Sequence, residues 1–158
     1  MANCAAHALI VILLSTGCGK PDASPSPDSA FAALQQRGET AMGVDQYASA
    51  HVFEPMPDGG RIVLQMKEAH AAEERKIRAH MRTIAAAFSG GDFSLPGFVH
   101  DSIVPGTAVM SRLRGEISYA ARDIERGAEL RLTTRNPEAV RAIHEFLEFQ
   151  TMDHHAGH

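Results

Sequence analysis

The chain has 158 residues, of which 44 % are hydrophobic and 22 % are charged, and its formal net charge is −4 with a pI near 6.1. This length allows one domain with an ordinary hydrophobic core. The acidic balance gives no electrostatic basis for binding nucleic acid or an acidic membrane surface, so no nucleic-acid partner is expected.

Residues 1–18 have the pattern of a targeting segment. The apolar run from Ala8 to Leu14 is too short to span a bilayer as a helix, and it is followed by Ser15-Thr-Gly-Cys18. This ending resembles a bacterial lipobox, in which the cysteine is lipidated and becomes the new N-terminus. We therefore predict a signal peptide over residues 1–18 and a lipoprotein anchored through Cys18 on the periplasmic side of the cell envelope. A secretory signal with an incidental cysteine is the alternative.

Residues 19–28 are rich in proline, serine and aspartate, which is the composition of a flexible tether or of a disordered N-terminal remnant. Gly19 is not the aspartate that would indicate retention at the inner membrane, which favours the outer membrane without deciding between the two. Cys4 would leave with the leader and Cys18 would carry lipid. The folded part would then contain no disulfide, no cysteine-ligated zinc and no cysteine nucleophile.

A single α+β domain is predicted over residues 29–151. Asp28 can cap a helix over residues 29–42 whose Phe31 and Leu34 face inward. The hydrophobic and turn patterns then predict, in chain order, a strand (46–54), a turn (55–60), a strand (61–66), a helix (69–89), an ordered crossover loop with short extended pieces (92–110), a strand (116–122), a turn (125–127), a strand (129–134) and a final helix. In the helix over 69–89, the buried stripe is predicted to be Ile77, Met81, Ile84 and Phe88.

The final helix is the clearest element of the sequence. Asn136 is a good N-cap, and Pro137 suits the first helical position. At 100° per residue, roughly half of the helix circumference is apolar, so the helix must pack on a partner surface such as a sheet.

The two hairpin–helix units look like a duplication. The strand Arg61-Ile-Val-Leu-Gln parallels Glu129-Leu-Arg-Leu-Thr, and the helical segment Ile77-Arg-Ala-His-Met parallels Val140-Arg-Ala-Ile-His. Two such ββα units predict a four-stranded antiparallel sheet with both helices on one face, plus the N-terminal helix. Coincidence is the alternative, because ββα is a common unit.

The chain has nine histidines, and all but His7 follow the leader. An imidazole in a strand, in an ordered loop or near the apolar arc of a helix needs a hydrogen-bond partner or a metal ion. His51 lies in the first predicted strand and His100 in the crossover loop. His80 and His144 lie in equivalent helices, where they could approach each other across a pseudo-twofold axis. For each of them, a half-buried histidine with a hydrogen-bond partner is the alternative.

Residues 152–158 are predicted to form a Met/His tail carrying Met152, His154, His155 and His158. Thioether together with imidazole suits copper, and imidazole alone also suits zinc or nickel. A solvated tail without a metal is the alternative. The candidate metal ligands of the whole chain are His51, His80, His100, Met110, His144, Met152, His154 and His155.

Catalytic motifs are absent from the sequence, which contains no HExxH, nucleophile elbow, P-loop or GxGxxG. The C-terminal half is locally rich in arginine, which is compatible with an anionic small ligand or with a charged outer sheet face. Three functions remain open. The first is a periplasmic, lipid-anchored binding domain for a transition metal such as copper. The second is a small enzyme on an anionic substrate with His80 or His144 as acid/base, and the third is a structural or interaction lipoprotein.

Seven segments stand out together: Ala41-Met-Gly-Val-Asp-Gln-Tyr, His51-Val-Phe-Glu, Pro57-Asp-Gly-Gly-Arg-Ile, Ile77-Arg-Ala-His-Met, Phe98-Val-His, Val104-Pro-Gly-Thr-Ala-Val-Met and Ala142-Ile-His-Glu-Phe-Leu. They resemble a family of small uncharacterised bacterial proteins over residues 30–155. Some members of that family carry the label aspartate carbamoyltransferase, which implies two α/β domains and a Ser-Thr-Arg-Thr phosphate loop. The present residues do not support that label. The chain has half the required length, and Thr133-Thr-Arg resembles the phosphate loop only weakly.

Overall fold

The structure, a computed structural model, describes residues 27–154. The predicted signal peptide, its lipobox Cys18, most of the tether and residues 155–158 lie outside this range. The elements are α1 (Pro27–Met42), β1 (Ser49–Met56), β2 (Gly59–Met66), α2 (Ala71–Ser89), α3 (Ser94–His100), α4 (Thr107–Arg112), a 3-10 turn (Arg114–Glu116), β3 (Ile117–Ile124), β4 (Gly127–Thr134) and α5 (Pro137–Asp153). Across residues 27–154, no helix combines the length and the apolar character needed to cross a membrane.

The four strands form one antiparallel sheet in the order β1-β2-β4-β3, which confirms the predicted α+β architecture. The central strands β2 and β4 pair directly, with Ile62 opposite Leu130. Successive side chains point to opposite faces of a strand. Ile62, Leu64, Leu130 and Leu132 therefore share one face, and all four are buried there.

Helices α2 and α5 cover the same face of the sheet, as the repeat predicted. Helix α2 lies mainly against β3 and β4, and α5 lies mainly against β1 and β2, so each helix covers the hairpin of the other unit. The predicted stripe of α2 is confirmed as its buried face (Ile77, Met81, Ile84 and Phe88). This crossing makes one continuous core from the two units.

Helix α5 begins as predicted but ends later. The Asn136 side chain accepts from the backbone N–H of Glu138 at 2.8 Å, and Pro137 occupies the first helical position. The helix continues to Asp153, so the boundary predicted at residue 152 falls inside it. Its last turn is fixed by tertiary contacts, because the Thr151 hydroxyl lies 3.3 Å from the carbonyl oxygen of Phe53 and the Asp153 carboxylate pairs with His100.

The crossover at residues 92–110 is helical, so the predicted short extended pieces are wrong. Pro96 lies in the first turn of α3, where its missing N–H costs no hydrogen bond. Gly106 adopts a left-handed conformation with φ of 78° immediately before α4. The two Pro-Gly pairs therefore mark the beginnings of short helices. Similarly, α1 begins at Pro27, which puts Asp28 in its first turn instead of at the predicted cap.

Both hairpin turns are confirmed near their predicted places, but they are tighter than predicted. The strands extend inward until only Pro57 and Asp58 separate β1 from β2, and only Glu125 and Arg126 separate β3 from β4. Arg126, the second residue of this turn, takes a positive φ of 55°.

Candidate functional site

A cavity of about 90 Å³ lies among α1, α2, α3, the end of α5 and the helix-covered face of β1 and β2. Four histidines line it, and each comes from a different part of the fold. They are His51 of β1, His80 of α2, His100 of α3, and His154, the residue that follows α5.

The rest of the cavity wall is almost entirely apolar. It includes the Met42 thioether and the rings of Phe88 and Phe146, and its other polar side chains are the buried amides of Gln46 and Gln150. Among the described residues that line the cavity there is no Asp, Glu, Lys or Arg. Polar atoms in this cavity are therefore surrounded mainly by apolar groups, which makes electrostatic interactions stronger than in water.

Local structure explains why two of these histidines face inward. In β1 the alternation places His51 and Phe53 on the helix-covered side, while Val52 points outward and is 44 % exposed. In α2, His80 lies three residues after Ile77 and four before Ile84, so it borders the buried stripe of that helix.

The imidazole of His154 lies between two of the other histidines. Its ring centroid is 5.2 Å from that of His51, with the two planes 19° apart, and 5.0 Å from that of His100, with the planes perpendicular. Phe53 packs beside it at 5.5 Å. Within residues 27–154, the buried Nδ1 of His154 has no hydrogen-bond partner.

His100 is the most rigidly held of the four. Its side chain is only 1 % exposed, its Nδ1 donates to the carboxylate of Asp153, and its Nε2 lies 2.8 Å from the side-chain amide oxygen of Gln150. Both ring nitrogens are thus engaged by the last turns of α5. These contacts also attach α3 to the end of that helix.

Burial keeps three of the cavity histidines neutral. It lowers the pKa of His154 to about 3, with further contributions from His51 and His100, and it lowers the pKa of His51 to about 4, with smaller contributions from His80 and Lys67. Burial also lowers the pKa of His80. At neutral pH each of these rings therefore keeps a nitrogen lone pair.

These lowered pKa values predict a dependence of stability on pH. In the unfolded chain His51 and His154 regain the ordinary pKa of 6.5, so the unfolded state binds more protons below that pH. The free energy of unfolding should therefore decrease as the pH falls from 7 to 5, by up to about 1.4 kcal/mol per pH unit from each histidine. Urea unfolding across this range measures the slope. The double variant His51→Gln/His154→Gln should flatten it, and an unchanged slope in that variant would contradict the prediction.

The structure does not bring Met110, His144 or Met152 to this cavity. Met110 is fully buried in the core on α4, and Met152 is 69 % exposed on α5. The Nε2 of His144 donates to the carbonyl oxygen of Met56 at 2.9 Å, so His144 and His80 do not form the shared site that the repeat predicted. His155 and His158 lie outside the described residues.

Sequence reasoning missed several residues around the cavity. Met42, Gln46 and Gln150 were not predicted as site residues, and Asp153 was predicted in the tail as an oxygen ligand or only a spacer. One signal was readable, because Gln150 follows Phe146 by four residues and so falls on the apolar side of α5. Within residues 27–154, no three or more His, Cys, Asp or Glu side chains are already placed to hold a metal ion.

The fold and the cavity together define a small α+β domain with a histidine-lined, largely apolar cavity. Compared with known proteins, the chain matches no family model, no curated protein and no solved structure. The cavity is therefore the feature of this protein that indicates a function.

Proposed function

We propose that this protein is a small binding domain that takes up a transition metal ion such as copper in the histidine-lined cavity. The observation that carries the proposal is the convergence of four imidazoles, from β1, α2, α3 and the end of α5, on one cavity. Nitrogen lone pairs of neutral imidazoles are ligands that copper and zinc prefer.

The ring spacing supports this proposal. A metal-bound imidazole nitrogen lies about 2.0 Å from the ion, so two rings on one ion have centroids roughly 5 to 6 Å apart. The centroid separation of 5.2 Å between His51 and His154 matches this value. The buried Nδ1 of His154, which has no partner among residues 27–154, would gain one in the ion. A buried polar atom without a partner is costly, so binding an ion there would remove that cost.

The proposed function includes a location in the bacterial cell envelope. The lipobox-like sequence ending at Cys18 supports anchoring by lipid in a bacterial envelope membrane, with the domain on the periplasmic side. The membrane is then the one partner that the sequence indicates.

An enzyme acting on an anionic substrate is the weaker proposal. The buried His100–Asp153 pair has the carboxylate–imidazole pattern of many acid/base sites. However, no cationic side chain is among the described residues lining the cavity. Arg61 and Arg122 instead pair with the buried carboxylate of Glu129. An anion would therefore find no counter-charge beside His100.

Metal titration of the full-length chain tests the proposal, in a background that carries His155→Ala and His158→Ala so that the tail imidazoles cannot bind. We expect one copper or zinc ion per chain. The additional change His51→Ala/His154→Ala should weaken binding by at least about 100-fold, because it removes two ligands. The matched control is His70→Ala, an exposed histidine that precedes α2. Binding that vanishes in the tail background, or that survives loss of both cavity histidines, would contradict the proposal.

A further inference from the structure

We infer that the ion for which this cavity is built is monovalent copper, Cu(I), in preference to Zn(II) or Cu(II). The inference rests on the proposed function and specifies its ligand. Three features of the described residues support it: the charge of the cavity wall, the chemistry of its donor atoms, and the way the imidazoles are paired.

The first feature is the absence of compensating charge among the described lining residues. The cost of moving an ion from water into an apolar medium grows with the square of its charge, so a divalent ion costs about four times as much as a monovalent one. The carboxylate of Asp153 contacts one cavity histidine, His100, and pairs with it. The Asp153 side chain is 41 % exposed, so water also compensates its charge. Neutral donors in an apolar wall therefore favour the lower charge.

The second feature is the donor set. The wall offers neutral imidazoles and one thioether, Met42, which is 8 % exposed and shares the cavity with His51 and His80. Imidazole binds copper and zinc alike, whereas thioether sulfur is a soft ligand that selects Cu(I), so Met42 is the donor that distinguishes between these ions.

The third feature is the pairing of the rings around His154. The partly buried His51 ring stacks beside His154, and no hydrogen bond to its side chain is found within residues 27–154. Asp153 and Gln150 contact both ring nitrogens of His100, so this ring has no free lone pair for a metal ion. In this group of rings, His51 and His154 keep available lone pairs. His80, which lines the same cavity, and the Met42 thioether are further neutral donors. Neutral imidazoles together with a thioether form a donor set that suits Cu(I).

The test compares metals on the same full-length protein in the His155→Ala/His158→Ala background. Cu(I) is supplied without oxygen as its acetonitrile complex and competed with bicinchoninate, and Zn(II) and Cu(II) are each competed with a chelator of known affinity. For each metal, the cavity component is defined as the metal binding that is lost when His51→Ala/His154→Ala is added to this background. Circular dichroism and urea unfolding establish that each variant is folded.

We expect the cavity component for Cu(I) to be at least about 100-fold tighter than for Zn(II) or Cu(II), given soft neutral donors and no counter-charge. Met42→Leu, which keeps the side-chain volume, should weaken Cu(I) about 10-fold and leave Zn(II) unchanged. Zn(II) or Cu(II) binding at the cavity as tightly as Cu(I) would overturn this inference and leave the proposed function standing. If no metal shows a cavity component, the proposed function fails as well.

Discussion

Replacing Gly106 by alanine is expected to lower the free energy of unfolding by at least about 3 kcal/mol. Gly106 has a φ of 78°, a left-handed conformation that strains any residue with a Cβ. A Cβ at this position would also overlap the carbonyl oxygen of Ala142 and lie 3.2 Å from the backbone nitrogen of Phe146. Both atoms belong to the backbone of α5. The clash therefore cannot be relieved by a side-chain rotation, and α4 would have to move away from α5.

Gly115→Ala is the matched control for this prediction. A Cβ at Gly115 meets no atom within 4 Å, and the residue lies in the short 3-10 turn before β3. Its substitution should change the free energy of unfolding by less than about 1 kcal/mol. Urea unfolding of both variants at pH 7 makes the comparison. A loss at Gly106 no larger than that at Gly115 would show that α4 is not held against α5 at this point.

Phe146→Ala should destabilise the protein by about 3 to 5 kcal/mol, since it removes a large, fully buried ring. Phe146 is 1 % exposed and forms one wall of the histidine cavity. Its ring meets Phe88 edge-on at 5.9 Å and Phe93 at 6.3 Å, in the geometry that aromatic pairs prefer. The substitution would also enlarge the cavity, so the imidazoles would lose part of the packing that shields them from solvent.

Phe98→Ala, the same substitution at an exposed position, is the matched control for Phe146→Ala. Phe98 lies on α3 but is 48 % exposed, so its removal should cost no more than about 1 kcal/mol. Thermal or urea unfolding at pH 7 gives both values, and 1-anilinonaphthalene-8-sulfonate binding reports exposure of the core. Equal losses in the two variants would mean that Phe146 does not support the core.

The proposed metal site and the fold depend on each other through the end of α5. Asp153 and Gln150 hold His100 of α3, and His154 completes the cavity. An ion bound to His51 and His154 would therefore connect β1 to the C-terminal end of α5. Metal binding should stabilise the folded domain by mass action, which offers an independent readout for the titrations.

Much of the fold follows from local pattern in the sequence. The stripe of Ile77, Met81, Ile84 and Phe88 repeats at helical spacing, so the buried face of α2 is fixed by the period of the helix itself. Asn136 and Pro137 determine where α5 begins, because a capping side chain acts on backbone groups only two or three residues away. The glycines and prolines between the strands likewise locate both hairpins.

The site was decided by tertiary structure. The sequence placed His80 and His144 in equivalent helices, but their rings face different surroundings. His144 reaches the carbonyl of Met56, and His80 meets the cavity with His51. The sequence placed His154, a candidate metal ligand, in a tail. Contacts of Thr151 with β1 and of Asp153 with α3 instead extend α5 and place His154 in the cavity. Helical periodicity states which residues of one element share a face. Which faces meet depends on how the elements cross, and that is set by the packing of the whole core.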